Sequence, residues 1–281
     1  MVFVPNFWCW AVVCALGLIS LAVMKRLFLL AVFLCFLFFV QAKEPPLLVA
    51  HRGGAGWGVE NTLSCIERSI LLGARALEVD VRMTDDGNLV VFHDSSVAGR
   101  TNGRGKVRNL TLAQIKSLEI VDDRGRATGE RIPTLGEVLR LVSGRCHLLI
   151  DVKCSGWEAL MVASRLYVDI LENGAEGWVS VQSFNDKVLR CLHSLKVSYP
   201  LEKLVLFKVP LLSVIFDGSF RWFSVGKYSY VSSFNFHKRY LSRSFAAKLA
   251  AAGKGVKVWT LSAPSDLPPF MVDGAISDVP F

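Results

Sequence analysis

The chain has 281 residues, enough to bury the core of one α/β barrel or of two smaller domains. It has a net charge of +8, but no run of lysines and arginines exceeds two residues. This scatter argues against nucleic-acid binding, and an anionic substrate or a membrane surface explains the charge equally well. The four cysteines beyond the apolar N terminus show no CxxC spacing, so the sequence does not indicate a zinc site.

The N terminus contains two apolar runs, residues 7–23 and 27–40, separated by Met24-Lys25-Arg26. Read from Met24, the segment has a basic start, a Leu/Phe-rich middle and a small-residue cleavage site ending at Ala42. We therefore expect residues 1–42 to be a signal peptide or membrane anchor and residues 43–281 to form the folded domain. This arrangement predicts an extracytoplasmic protein, secreted or anchored in a membrane.

From Leu47 onward, strand-like and helix-like segments alternate, which is typical of a parallel sheet. The nine predicted strands span 47–50, 76–81, 89–92, 148–152, 178–182, 204–209, 228–232, 256–260 and 274–277. Helical periodicity covers 63–72, 135–142, 157–172 and 242–252, and Thr111 to Gln114 has the pattern of a capping box. We predict a (β/α)8 TIM barrel in which one of the nine candidates is not a barrel strand.

Polar residues lie at the end, or on one face, of each of the first four predicted strands. Residues two apart in a strand point the same way, as Glu78 and Asp80 do. The C-terminal ends of the strands form the face where such barrels carry their chemistry, so these side chains are expected to converge. The set comprises His51, Arg52, Glu78, Asp80, His93, Asp151 and Lys153.

This set has the chemistry of phosphate-ester cleavage. Three carboxylates favour one hard divalent cation, Mg²⁺ or Ca²⁺, over zinc. Two histidines suit a general acid and a general base near neutral pH. Arg52 and Lys153 supply positive charge for an anion, most naturally a phosphate.

Eight segments of the chain stand out by their order and spacing: HRGGAGWGVENT at 51–62, ALEVDVRMTDDGNLVVFHD at 76–94, RTNGRG at 100–105, IPTLGEVL at 132–139, IDVK at 150–153, QSF at 182–184, VWT at 258–260 and DGAISDVP at 273–280. Together they resemble the glycerophosphodiester phosphodiesterase family. The resemblance covers essentially the whole chain from Leu47. Order and spacing across so many segments are far more specific than any single motif.

The resemblance implies a TIM barrel, a divalent metal, and hydrolysis of glycerophosphodiesters to sn-glycerol 3-phosphate and an alcohol. By position, it implies catalysis by His51 and His93, metal binding by Glu78 and Asp80, and substrate binding by Arg52, Lys153 and Trp259. Asp151, the third carboxylate of the set, is expected to complete the metal site. Trp259 resembles an aromatic wall of the substrate site.

The chain also departs from the family pattern at four positions. Val59 replaces a proline, Asp151 a glutamate, Ser262 an asparagine and Ser277 a threonine. The Asp151 side chain is one methylene shorter than the glutamate usual there. These changes leave the core set intact and put the headgroup preference in doubt.

Two other functions remain open at the level of sequence. A lysophospholipase D-like hydrolase of single-chain lipids would be favoured by a membrane anchor and an apolar rim, for which the aromatic stretch 216–236 is the candidate. An inactive barrel acting as a binding protein is the non-enzymatic alternative. The presence of His51, His93, Glu78 and Asp80 argues against the inactive barrel.

Overall fold

The computed structural model describes residues 45–122, 124–209, 214–216 and 225–279, together with residues 23, 25, 26 and 28–30. The chain divides into two units, residues 1–45 and residues 46–281. The signal or anchor expected at residues 1–42 lies almost entirely outside the described residues. Among those that are described, no helix has both the length and the apolar character needed to cross a bilayer.

The folded unit is built on a closed sheet of parallel strands with helices between them. The strands are β1 (Leu47–Ala50), β2 (Ala76–Met83), β3 (Leu89–Val91), β4 (Glu119–Val121), β5 (Ala127–Arg131), β6 (His147–Val152), β7 (Val179–Ser183), β8 (Leu201–Val205), β9 (Phe207–Val209), β10 (Val214–Phe216), β11 (Ser233–His237), β12 (Gly255–Leu261) and β13 (Gly274–Ser277). The helices are α1 (Leu63–Leu71), α2 (Leu112–Ser117), α3 (Leu135–Val142), α4 (Ala159–Glu172), α5 (Asp186–Ser194) and α6 (Arg243–Ala251).

Eight of these strands close the barrel in the order β1, β2, β6, β7, β8, β11, β12, β13, with β13 pairing back onto β1. All eight neighbouring pairs are parallel. The predicted (β/α)8 barrel is therefore confirmed.

The strand in excess of eight is β3, which pairs antiparallel with β2 across the turn at residues 84–88. Two predicted strands were misplaced. The strand expected at 228–232 is wrong, because Val225–Tyr228 forms a 3-10 turn and pairing with β8 and β12 begins only at Ser233. The strand expected at 204–209 begins instead at Leu201, since the buried charged residues Glu202 and Lys203 belong to β8.

The predicted helices are confirmed to within two residues, and the capping box at Thr111 and Gln114 is present. Apolar side chains at helical spacing hold each helix to the sheet. In α3 these are Leu135, Val138, Leu139 and Val142, all fully buried. Burying side chains of this size contributes about 1.5–3 kcal/mol each, so one helix face supplies substantial stabilisation.

Inside the barrel, a small apolar layer lies below the polar residues. Val49, Ala76, Leu149 and Ile276 form this layer and come from β1, β2, β6 and β13. Because side chains alternate along a strand, residues two or four positions beyond Ala76 and Leu149 also point inward. The next inward positions are Glu78 on β2 and Asp151 on β6, which places the carboxylates above this apolar layer.

Candidate active site

Three buried carboxylates form the base of the site. Asp80 and Asp151 are directly paired across β2 and β6, and Glu78 lies two residues before Asp80. Their exposed fractions are between 1% and 3%. One oxygen from each lies within 4.8 Å of the others, so the three could hold a single divalent cation.

Hydrogen bonds from neighbouring segments orient these carboxylates. Glu78 accepts the backbone N–H of Arg52 at 3.0 Å, and Asp80 accepts the side-chain amide of Asn61 at 3.0 Å. The ammonium of Lys153 lies 2.6 Å from Oδ2 of Asp151 and 3.2 Å from Oδ1 of Asp80. Glu78 and Asp80 are therefore held by groups from the segment after β1, and Asp151 is held by Lys153, two residues further along the chain.

The pKa values show a site short of positive charge. Burial, with the nearby charge of Asp80, raises the pKa of Glu78 to about 8. Burial also raises the pKa of Asp151, whereas at Asp80 it is outweighed by Lys153 and by a histidine, and the pKa is lowered.

The donor set fits a hard divalent cation. Oδ1 of Asp151 is buried and accepts no hydrogen bond from any described residue. A divalent cation would offset the burial and the carboxylate repulsion that raise the pKa of Glu78, and carboxylate oxygens are the ligands such ions prefer. We therefore find the chemistry of the site consistent with the metal binding expected for Glu78, Asp80 and Asp151.

The turn after β1 presents His51 and Arg52 to this centre. Arg52 has left-handed backbone angles, and Gly53 and Gly54 follow with φ of +74° and +105°. A Cβ on Gly53 would lie 2.7 Å from the side chain of Ile66. The two glycines let the chain reverse tightly against α1, which fixes where the side chains of residues 51 and 52 begin.

Each predicted catalytic histidine is bonded to an aspartate. Nδ1 of His51 lies 2.5 Å from Oδ1 of Asp278, and its Nε2 lies 3.9 Å from Glu78. Burial lowers the pKa of His51, but the bond to Asp278 and the nearby carboxylates outweigh it, and the net shift is upward. His93 bonds through Nδ1 to Asp94 at 2.8 Å. The aspartates thus hold both imidazoles by the same ring nitrogen.

A cavity of about 300 Å³ lies at this end of the barrel. Seven of the eight predicted site residues line it: His51, Arg52, Glu78, His93, Asp151, Lys153 and Trp259. Asp80, the eighth, lies beside Lys153 at the carboxylate centre. The indole N–H of Trp259 donates to the carbonyl of Asn235 at 2.9 Å, so its ring is fixed as part of the wall. The structure therefore brings the whole predicted set together.

Several residues at the site were quoted in motifs but given no role from the sequence. Glu60 bonds the Arg52 guanidinium at 2.8 Å, Asn61 bonds Asp80, and Asp278 bonds His51. Gln182 and Phe184 line the cavity. The available signal was position, since Asp278 directly follows the last strand, as His51 directly follows the first.

Comparison with known proteins agrees with this geometry. The model of the glycerophosphoryl diester phosphodiesterase family matches residues 51–280. A glycerophosphodiester phosphodiesterase of Caldanaerobacter subterraneus is 40% identical over 146 residues, which are 51% of this chain and 60% of that protein. The match thus spans less than two thirds of that relative's length.

Solved structures show the same fold. A Silicibacter pomeroyi protein, provisionally called a glycerophosphoryl diester phosphodiesterase, superimposes with a TM-score of 0.74 at 23% identity, over 84% of this chain and 90% of that one. A phosphodiesterase of Oleispira antarctica superimposes with a TM-score of 0.72 at 22% identity, over 83% and 93% of the two chains. With the family model matching nearly the whole barrel, the chain belongs to the glycerophosphoryl diester phosphodiesterase family.

Proposed function

We propose that this protein hydrolyses glycerophosphodiesters to sn-glycerol 3-phosphate and an alcohol. The observation that carries the proposal is the cavity in which two aspartate-bonded histidines face a buried centre of three carboxylates. The Oleispira antarctica phosphodiesterase, which shares the fold, is described in complex with the product sn-glycerol-3-phosphate. Family membership and the site chemistry therefore support the same reaction.

Glu78, Asp80 and Asp151 are proposed to hold one divalent cation, Mg²⁺ or Ca²⁺. Such an ion supplies positive charge for the phosphoryl oxygens as they gain charge during cleavage. Lys153 contacts both Asp80 and Asp151, and its ammonium would keep these two carboxylates close together before a cation binds.

The remaining residues are proposed to divide phosphate binding and proton transfer. Arg52, held by Glu60, presents its guanidinium to the phosphate. His51, whose imidazolium is stabilised by Asp278, donates a proton to the oxygen of the departing alcohol. His93, bonded to Asp94, accepts the proton of the attacking water. Trp259 forms one wall of the substrate site.

The test is direct assay of the full chain, purified in detergent micelles, with glycerophosphocholine and added Mg²⁺ or Ca²⁺. Release of sn-glycerol 3-phosphate, lost in His51→Ala, is the expected result. A folded protein that releases none with any glycerophosphodiester would refute the activity and favour the inactive, substrate-binding barrel.

Single-chain lipids are a second proposed substrate class. Phe184, Leu204, Leu206 and Trp259 give the cavity an apolar side on which an acyl chain could lie. Assaying lysophosphatidylcholine beside glycerophosphocholine distinguishes the two. Faster cleavage of the lipid would favour the lysophospholipase D-like activity, and no cleavage would exclude it.

We also propose that residues 1–42 direct the barrel out of the cytoplasm. The support is the sequence pattern alone, a basic start at Met24 followed by an apolar stretch and a small-residue site at Ala42. Sequencing the N terminus of the secreted and membrane fractions tests this. A mature end at Lys43 indicates a cleaved signal, whereas retention of residues 7–23 indicates a membrane-anchored form.

A further inference from the structure

A second cavity lies beside the active-site cavity and is larger, about 630 Å³. Lys153 and Phe184 line both cavities, so the two cavities adjoin at these side chains. The second cavity lies between residues 152–156, which are the end of β6 and the segment that follows it, and the start of α5. We call it the basic cavity, for the four cationic side chains that line it: Arg82, Lys153, Lys187 and Arg190.

Among the described residues, one carboxylate lines the basic cavity, and it pairs with one of these four cations, Arg190, at 3.6 Å. It belongs to Asp186, which is buried and accepts the hydroxyl of Tyr228 at 2.9 Å. The ammonium groups of Lys203 and Lys227 also lie close to the Asp186 carboxylate, at 3.1 Å and 3.0 Å. Asp186 therefore pairs with Arg190, Lys203 and Lys227 and makes no ion pair with Arg82 or Lys187, two of the other cations that line the cavity.

Two of the cations have no carboxylate partner. Within residues 45–122, 124–209, 214–216 and 225–279, no carboxylate lies within 4.0 Å of Arg82 or Lys187. The Nε of Arg82 donates to the carbonyl of His93 at 2.8 Å, which orients a half-buried guanidinium at the edge of the cavity. Lys187 is exposed on the first turn of α5.

The positive charge continues into a neighbouring hollow of about 250 Å³ that shares Arg82 and Lys153 with the basic cavity. Lys106 and Arg108 add to its lining. Its one carboxylate, Glu158, accepts the backbone N–H and the hydroxyl of Ser155. The field of these side chains favours an anion next to the reaction centre.

We propose that the basic cavity binds the alcohol side of the substrate and selects alcohols that carry a second phosphate group. The inference rests on the proposed function and names its substrate class. Water is added and the P–O bond at the catalytic centre is cleaved, giving sn-glycerol 3-phosphate and an alcohol that keeps its own phosphate. Lys187 and Arg82 pair with that remaining phosphate, which lowers KM for such substrates.

The test compares bis(glycerophospho)glycerol, which has a second phosphodiester, with glycerophosphoglycerol, which does not. We expect kcat/KM of the full-length protein to favour the former at low salt, and this preference to shrink with ionic strength. Lys187→Gln should lower the preference about threefold and Lys187→Glu about tenfold, as for a partly exposed ion pair. Lys248→Gln, an exposed lysine on α6, is the matched control and should leave it unchanged.

The outcomes separate the inference from the function it rests on. No hydrolysis of either substrate would refute the proposed function. Hydrolysis of both with equal kcat/KM, and no change in that ratio in the Lys187 variants, would refute the inference alone. Inorganic phosphate gives a second test. It should inhibit hydrolysis of bis(glycerophospho)glycerol, and weaker inhibition in Lys187→Glu than in the wild type supports the inference. A change of kcat in the Lys187 variants that is equal for every substrate would refute the inference, because the cavity would then not distinguish alcohols that carry a second phosphate.

Discussion

Replacing Gly54 by alanine perturbs the turn that carries His51 and Arg52. Gly54 has φ of +105°, a region that a residue with a Cβ rarely adopts. A Cβ added there would overlap Oγ of Ser69 and lie 2.9 Å from the ring of Trp57. The substitution therefore combines backbone strain with a steric conflict against α1.

The size of the effect follows from these two contributions. Placing a residue with a Cβ at positive φ costs about 1–2 kcal/mol. Forcing an extra methyl group into a packed site costs about 1–3 kcal/mol. Gly54→Ala should thus lower the free energy of unfolding by about 2–5 kcal/mol, a large share of the roughly 5–15 kcal/mol typical of a domain.

Gly73→Ala isolates the backbone contribution. Gly73 has φ of +89°, close to that of Gly54, and nothing lies within 4 Å of an added Cβ. Urea unfolding of the wild type and both variants, with the slope of the transition compared, gives the two costs. We expect about 1–2 kcal/mol for Gly73→Ala and a distinctly larger loss for Gly54→Ala. Adding Ser69→Ala to Gly54→Ala removes the overlapping Oγ, so the double variant should recover part of the additional loss in free energy of unfolding.

Equal destabilisation by Gly54→Ala and Gly73→Ala would refute the steric argument. The activity of folded Gly54→Ala gives a second measurement. A displacement of about 1 Å at a catalytic group can cost on the order of 10²-fold in rate, so kcat should fall in this variant and not in Gly73→Ala. Wild-type kcat in Gly54→Ala would show that His51 is not positioned by this turn.

Three further predictions concern the metal and the histidines. EDTA should abolish hydrolysis, Mg²⁺ or Ca²⁺ should restore it, and Glu78→Gln should behave like the chelated enzyme; activity that survives exhaustive chelation contradicts the metal site. His51→Ala and His93→Ala should each lower kcat by about 10²–10⁴-fold while remaining folded by circular dichroism. His147→Ala is the control and should keep its kcat. Asp151→Asn should raise the Mg²⁺ concentration for half-maximal activity about 10–100-fold, and Asp151→Glu should stay active; an unchanged Mg²⁺ titration in Asp151→Asn removes this residue from the site.

The barrel and most of its site were predictable because both follow from strand periodicity and strand ends. The alternation that gives Glu78 and Asp80 a common direction on β2, and Asp151 and Lys153 a common direction at the end of β6, is visible in the sequence and agrees with the structure. Convergence of strand ends then brings these side chains to one cavity. The local strand pattern and the barrel fold together were therefore sufficient to predict this set of site residues.

The errors and omissions arose where charge was buried. Glu202 and Lys203 obscured the start of β8, because buried charged residues look like a loop in sequence. In the structure Lys257 neutralises Glu202 at 2.6 Å, and the ammonium of Lys203 donates to the carbonyl of Phe184 at 2.7 Å. Such partners are distant along the chain, and no periodicity in the sequence predicts them. The role of Asp278, which is not buried, was missed because its partner His51 is also distant along the chain.

The bond between His51 and Asp278 also sets when the site can be completed during synthesis. These residues follow β1 and β13, which pair with each other although 227 residues separate His51 from Asp278. At typical elongation rates the ribosome needs roughly 11–45 s to make the intervening chain. Through that interval β1 lacks one of its neighbours and His51 lacks its aspartate. Nascent or prematurely terminated chains therefore cannot complete this histidine pair, however much of the metal centre they have formed.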